Sequence, residues 1–130
     1  MSTAILAALS LSRSAAACRC VDPSAGRAYA LGDLVVLGSV ESQEQRGEVS
    51  VATFVVERAW KLNVPRRIKI IFGGACPFPL QTSGRYLLYG TRIDAKAFGT
   101  RRCRGNRPYA QAGAPLDWLR RHGTEAVVTE

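Results

Sequence analysis

Four cysteines constrain this chain more than any other feature: Cys18, Cys20, Cys76 and Cys103. Their even number and wide spacing point to a disulfide framework in an exported protein. A structural zinc site usually shows two close pairs, such as Cys-x-x-Cys. Here one pair is close and the other two cysteines stand alone. The single histidine, His122, has no second ligand near it in sequence. A bond between Cys18 and Cys20 would be strained across one intervening residue. That leaves Cys18 with Cys76 and Cys20 with Cys103, or the reverse. Either arrangement closes long loops and ties the segment after residue 17 to the body of the domain.

The residues before Cys18 read as a targeting segment, 1–17. Ala4 to Leu11 is an apolar run of signal-peptide length. It is too short for a membrane span, which needs about 20 residues. Ala15 and Ala17 place small residues at both positions that a cut before Cys18 requires. A lipoprotein signal also has a cysteine after the cut, but it favours Leu three residues earlier, where Ala15 stands. The mature chain is therefore expected to be secreted and to begin at Cys18.

The remaining length suits one domain, 18–123, followed by a loose tail, 124–130. The apolar fraction of 47% is enough for a core. Asp33 to Val40 contains the run Leu34-Val35-Val36-Leu37, a strand buried on both faces or closing a barrel. Polar Glu41 to Glu48, with Gly47, reads as a hairpin loop. Val49 to Trp60 is a second, long strand, and Asn63-Val64-Pro65 breaks it. Arg67 to Phe72 alternates as a third strand. Gly73-Gly74-Ala75-Cys76-Pro77 is a sharp loop. Arg85 to Thr91 is a fourth strand, where Gly90 suggests a bulge or a tight bend. Ala97 to Arg102 is a short fifth strand leading into Cys103. Pro115 to Arg121 reads as a helix, with Pro115 at its first position, Leu116 and Leu119 as its packing face, Trp118 beside them, and Gly123 as terminator. Five strands with uneven loops and a late helix predict a mainly β fold, a five-stranded Greek-key barrel of the OB type.

The segment Cys18-Arg19-Cys20-Val21-Asp22-Pro23 resembles the N-terminus of the tissue inhibitors of metalloproteinases, which also begin with Cys-x-Cys after signal cleavage. Gly32 to Val40 resembles their first barrel strand. Trp60-Lys61 resembles the aromatic-Lys that ends their second strand, with Leu62 where the family often has Gly. Cys76 follows the third strand and Cys103 the fifth, as in that family. The wider netrin-like group shares this barrel. The resemblance implies an OB-fold, the pairs Cys18–Cys76 and Cys20–Cys103, and a role as a metalloendopeptidase inhibitor. In that role the Cys18 amine and carbonyl would chelate the zinc of the target protease, with Arg19, Cys20, Val21, Gly74 and Ala75 completing the inhibitory edge. This chain departs from the family in three ways. Ala30 stands about where a third disulfide would need a cysteine, the separate C-terminal domain is absent, and Arg19 replaces a small polar residue.

The formal charge is +8, and fifteen of the eighteen basic residues are arginine. Such a balance suits an acidic partner. Arg101, Arg102, Arg104 and Arg107 form a basic run around Cys103, which fits a non-inhibitory binding module for a surface protein or an anionic glycan. A single-stranded nucleic-acid domain would combine such a groove with exposed aromatics, for which Phe54, Tyr86 and Tyr89 are the candidates. Export and disulfides weigh against nucleic acid. No paired carboxylates, nucleophile–base pair or glycine-rich phosphate loop appears, so an enzyme is the least supported class. No cofactor is implied.

Overall fold

The computed structural model describes residues 18–130, so the targeting segment lies outside the described residues. Five strands close a barrel: β1 (Leu34–Arg46), β2 (Val49–Trp60), β3 (Arg67–Gly73), β4 (Arg85–Arg92) and β5 (Ala97–Gly99). Their order is β1-β2-β3-β5-β4, and β4 pairs back onto β1. All neighbours are antiparallel except β3 with β5, which run parallel. This is the OB-fold topology the strand pattern predicts. Helix α1 (Ala25–Leu31) precedes the barrel and α2 (Gly113–His122) follows it.

The apolar run in β1 is buried on both faces because two cores share it. Leu34 and Val36 point into the barrel with Phe54, Ile68, Ile70, Leu88 and Phe98. Val35 and Leu37 point outward, beneath the helices, with Ala28, Trp60, Leu87, Tyr89 and Leu119. Strand β4 divides in the same way, Tyr86 and Leu88 inward and Leu87 and Tyr89 outward. Alternation of side chains along a strand makes this unavoidable once helices cover the outer face.

Helix α1 is absent from the sequence reading. It is only seven residues long, about two turns, and only Ala28 is fully buried. It is held at both ends. Ser24 caps the start, its hydroxyl accepting from the Arg27 amide at 3.3 Å. At the other end Lys61 Nζ donates to the carbonyls of Tyr29 (2.6 Å) and Gly32 (2.7 Å). Lys61 reaches them by leaving β2 with φ of 72°, a left-handed turn directly after buried Trp60. Helix α2 begins two residues earlier than expected, so Pro115 sits inside its first turn, where no amide partner is lost. Leu119 is buried, and Trp118 packs at 5.4 Å from Tyr29 of α1.

Three further expectations are corrected. The segment 41–46 is strand, not loop: β1 runs on to Arg46 and turns only at Gly47-Glu48. Both of its faces meet solvent, so polar side chains hid a ladder made by backbone bonds. No bulge lies at Gly90, where the pairing with β1 keeps its register; the register shifts lie in β1, between Leu37 and Gly38 and between Val40 and Ser42. Gly38 is required there, since a Cβ would collide with the Val55 carbonyl. The tail from Thr124 is not loose. Glu125–Ala126 pairs with the end of β2, and Val128–Thr129 runs parallel to Val64–Pro65. Asn63 Oδ1 accepts the Val127 amide at 2.8 Å between these two bridges. Among the described residues, no helix is long and apolar enough to cross a membrane.

Tyr89 tests the outer core. Its hydroxyl is buried with no partner among the described residues. Burial pushes the phenol up to about 12, and the Arg107 charge opposes the shift. The unfolded phenol titrates near 10. The stability this group contributes is therefore complete below about pH 10 and is lost as pH rises through 12. Tyr89→Phe should leave the protein equally stable at pH 8, or more stable by about 1 kcal/mol. Between pH 10 and 12 the variant should lose less stability than the parent in urea unfolding. A variant clearly less stable at pH 8 would show that the hydroxyl is bound after all.

Candidate functional site

Both cysteines of the Cys18-Arg19-Cys20 motif are anchored at one end of the barrel. Cys18 bonds Cys76 with Cα atoms 5.5 Å apart, and Cys20 bonds Cys103 at 5.8 Å. These separations are ordinary for disulfides. Of the two pairings open from spacing alone, this is the one the family resemblance implies. Two disulfides fit an extracytoplasmic, oxidising compartment.

Between the anchors the backbone makes a tight turn. The Cys20 amide donates to the Cys18 carbonyl at 3.2 Å, which leaves Arg19 exposed at the apex. Val21 follows and is 90% exposed. The loop after β3 lies alongside, with the Ala75 carbonyl oxygen 3.1 Å from Cys18 Sγ. That loop turns through Gly73 and Gly74, with φ of 130° and 75°. Gly73 is also needed for space, because a Cβ would meet the Glu48 carbonyl at 2.8 Å. At Gly74 nothing is close, so only the left-handed backbone demands glycine there. Cys18 and Ala75 therefore lie side by side, with Arg19, Cys20 and Val21 following on one side and Gly74 preceding on the other. Gly74, Ala75, Arg19 and Val21 are exposed along this edge.

The segment after β5 leaves the sheet earlier than expected, because polar groups pull it away. Thr100 Oγ1 donates to the Tyr89 carbonyl at 2.8 Å. Buried Asn106 accepts the Tyr89 amide through Oδ1 at 2.7 Å and donates through Nδ2 to Thr100 Oγ1 and to the Arg101 carbonyl. Arg102 then spans the two anchors. Its amide donates to the Cys76 carbonyl at 3.0 Å and its Nε to the Pro77 carbonyl at 2.9 Å. Cys103 itself has φ of 65°. None of Thr100, Asn106 or the bracing role of Arg102 is visible in the sequence, since a lone polar residue in a loop carries no periodicity.

Behind the edge lies a cavity of about 380 Å³. Both disulfides wall it, with Arg19, Arg101, Arg102 and Arg104 around it and Leu31 and Thr91 at its side. Among the described residues, no carboxylate lines it. Most other arginines are paired, among them Arg58 with Glu125, Arg67 with Glu41, Arg85 with Glu57, and Arg120 and Arg121 with Asp117, whereas Arg27, Arg92 and Arg107 have no carboxylate within 4.0 Å among the described residues. The Arg67 pair holds the Glu41 carboxyl below its usual range. Among the described residues the four arginines at the cavity have no such partner within 4.0 Å. Arg107 does not join them. It lines a separate hollow beside Ala28 and Trp118, so the basic run of the sequence is split by the turn at Gly105. Phe54, Tyr86 and Tyr89 are all buried, so they offer no surface on which bases could stack. His122 lies against Trp118, with ring centroids 5.1 Å apart.

In comparisons with known proteins, no family model and no curated protein matches this chain.

Each disulfide closes a long loop, with sequence separations of 58 and 83 residues. Cys20→Ala with Cys103→Ala, and separately Cys18→Ala with Cys76→Ala, should each lower the unfolding free energy by about 2–5 kcal/mol. Urea unfolding under non-oxidising, non-reducing conditions checks this. A loss under about 1 kcal/mol would show that the N-terminal segment adds no constraint.

Proposed function

We propose that the protein is a secreted inhibitor of zinc metalloendopeptidases that acts through the backbone of Cys18. The observation that carries this reading is the double anchoring of Cys18-Arg19-Cys20 on an exposed edge beside Gly74 and Ala75. The resemblance of this segment to the tissue inhibitors of metalloproteinases supports the same reading.

A catalytic zinc keeps one position open for water. The α-amino group and carbonyl of one residue form a five-membered chelate that can displace that water. The Cys18 thiol is committed to Cys76, so the backbone supplies both ligands. The Cys18 carbonyl accepts one bond from the Cys20 amide, and its second lone pair remains for the metal. The two disulfides fix this geometry before binding, which lowers the ordering cost of association. Arg19 at the apex then enters the protease cleft next to the zinc. A long cation there suits a deep, acidic pocket, so it selects targets rather than defining the fold.

This mechanism requires a signal cut before Cys18, because a peptide-bonded nitrogen cannot coordinate zinc. Protein beginning at Cys18 should inhibit members of a panel of zinc metalloproteases, and protein with one additional Ala before Cys18 should not. Equal inhibition by both forms would overturn the chelation mechanism. Inhibition by neither would favour a binding module without inhibitory activity.

The amine must also be neutral, and its ordinary pKa is near 8. A lower pH protonates it, so affinity should fall by about tenfold per unit below roughly pH 7. Inhibition constants measured between pH 6 and 9, with protease stability controlled, check the slope. A flat profile would exclude the amine as ligand.

A further inference from the structure

Seven of the fourteen arginines among the described residues have no ion pair, and four of those seven share one site. Arg19, Arg101, Arg102 and Arg104 come from two distant stretches of chain, and the disulfides bring them around one cavity of about 380 Å³. Like charges gathered without a counter-charge repel one another, and an anion between them relieves that repulsion. The setting strengthens the effect. A concave site walled by disulfides and apolar side chains focuses the field of its charges. Arg102 is already held in place through its Nε bond to the Pro77 carbonyl, and its backbone amide is tied to Cys76. Arg101 and Arg104 stand between this cavity and a second hollow of about 240 Å³ next to Ile71 and Phe72, and among the described residues no hydrogen bond engages their side chains.

We propose that this cavity binds a tetrahedral oxyanion, a sulfate or phosphate ester carried on a group the size of a sugar. The planar guanidinium fork pairs bidentately with such oxyanions, and their several acceptor oxygens can serve more than one arginine. The volume falls within the range of small-molecule sites and exceeds what a bare ion needs. Leu31 gives one apolar flank, and Thr91 a neutral hydroxyl. The proposal does not depend on protease inhibition.

Calorimetric titration of the disulfide-bonded protein tests it, with glucose 6-sulfate, glucose 6-phosphate, inorganic phosphate and plain glucose at constant ionic strength. The expected result is saturable one-to-one binding of at least one ester with a dissociation constant below about 1 mM. The tighter ester identifies the source, a sulfated glycan or a phosphorylated metabolite. Combined Arg101→Gln and Arg104→Gln should weaken binding at least tenfold, since hydrogen bonds to charged groups are of about that strength. Arg120→Gln with Arg121→Gln removes the same charge from α2 and should change affinity by less than about twofold. Thermal melts of both double variants verify folding. Absence of ester binding, binding of inorganic phosphate alone, or equal weakening in the two double variants would each overturn the proposal.

Discussion

Two covalent ties at one end of the barrel organise everything that is distinctive here. Cys18–Cys76 and Cys20–Cys103 hold an extended segment that makes no strand and has its Val21 side chain almost fully in water. Such a segment has no core of its own to keep it in place, and without the bonds its conformational entropy would be free. With them, Arg19 is presented at the apex of a turn, the Gly74-Ala75 loop lies against Cys18, and four arginines converge on a cavity. The exposed edge and the basic cavity are two sides of the same pair of staples.

The staples have a rigid body to pull against because the barrel has two cores. Strands β1 and β4 bury one face inside the barrel and the other beneath α1 and α2. Lys61 joins these layers. It closes β2, turns back through a left-handed conformation, and supplies two donors to the carbonyls at the end of α1. Buried Asn106 does similar work near Cys103, satisfying the β4 backbone and holding the chain after β5 in its departure from the sheet. In both places one polar side chain decides the path of a segment that apolar packing leaves undetermined.

The alternating and continuous apolar runs made all five barrel strands legible, and Leu116, Trp118 and Leu119 revealed α2. Elements that rely on backbone bonds or on one partner did not show. Residues 41–46 extend β1 with polar side chains on both faces. Helix α1 buries one alanine fully and depends on Ser24 and on distant Lys61. The tail from Thr124 is short, yet its carbonyls accept from the amides of Lys61, Val64 and Arg66, and its Val127 amide donates to Asn63. Of the site, the cysteine motif and the glycines at 73 and 74 stood out as residue types. The grouping of Arg19 with Arg101, Arg102 and Arg104, and the exclusion of Arg107, did not.

By itself the sequence determined the strand periodicity, the number of cysteines and the closeness of one pair, because these depend on side-chain chemistry and local spacing. It left two disulfide pairings open, since spacing says nothing of which distant residues meet. Tertiary structure decided that Cys18 faces Cys76 and Cys20 faces Cys103, through a closed strand order that brings the loop after β3 and the turn after β5 to the same end. It also decided which arginines share a cavity. Charge clusters are properties of distance in space, and only the fold sets that distance.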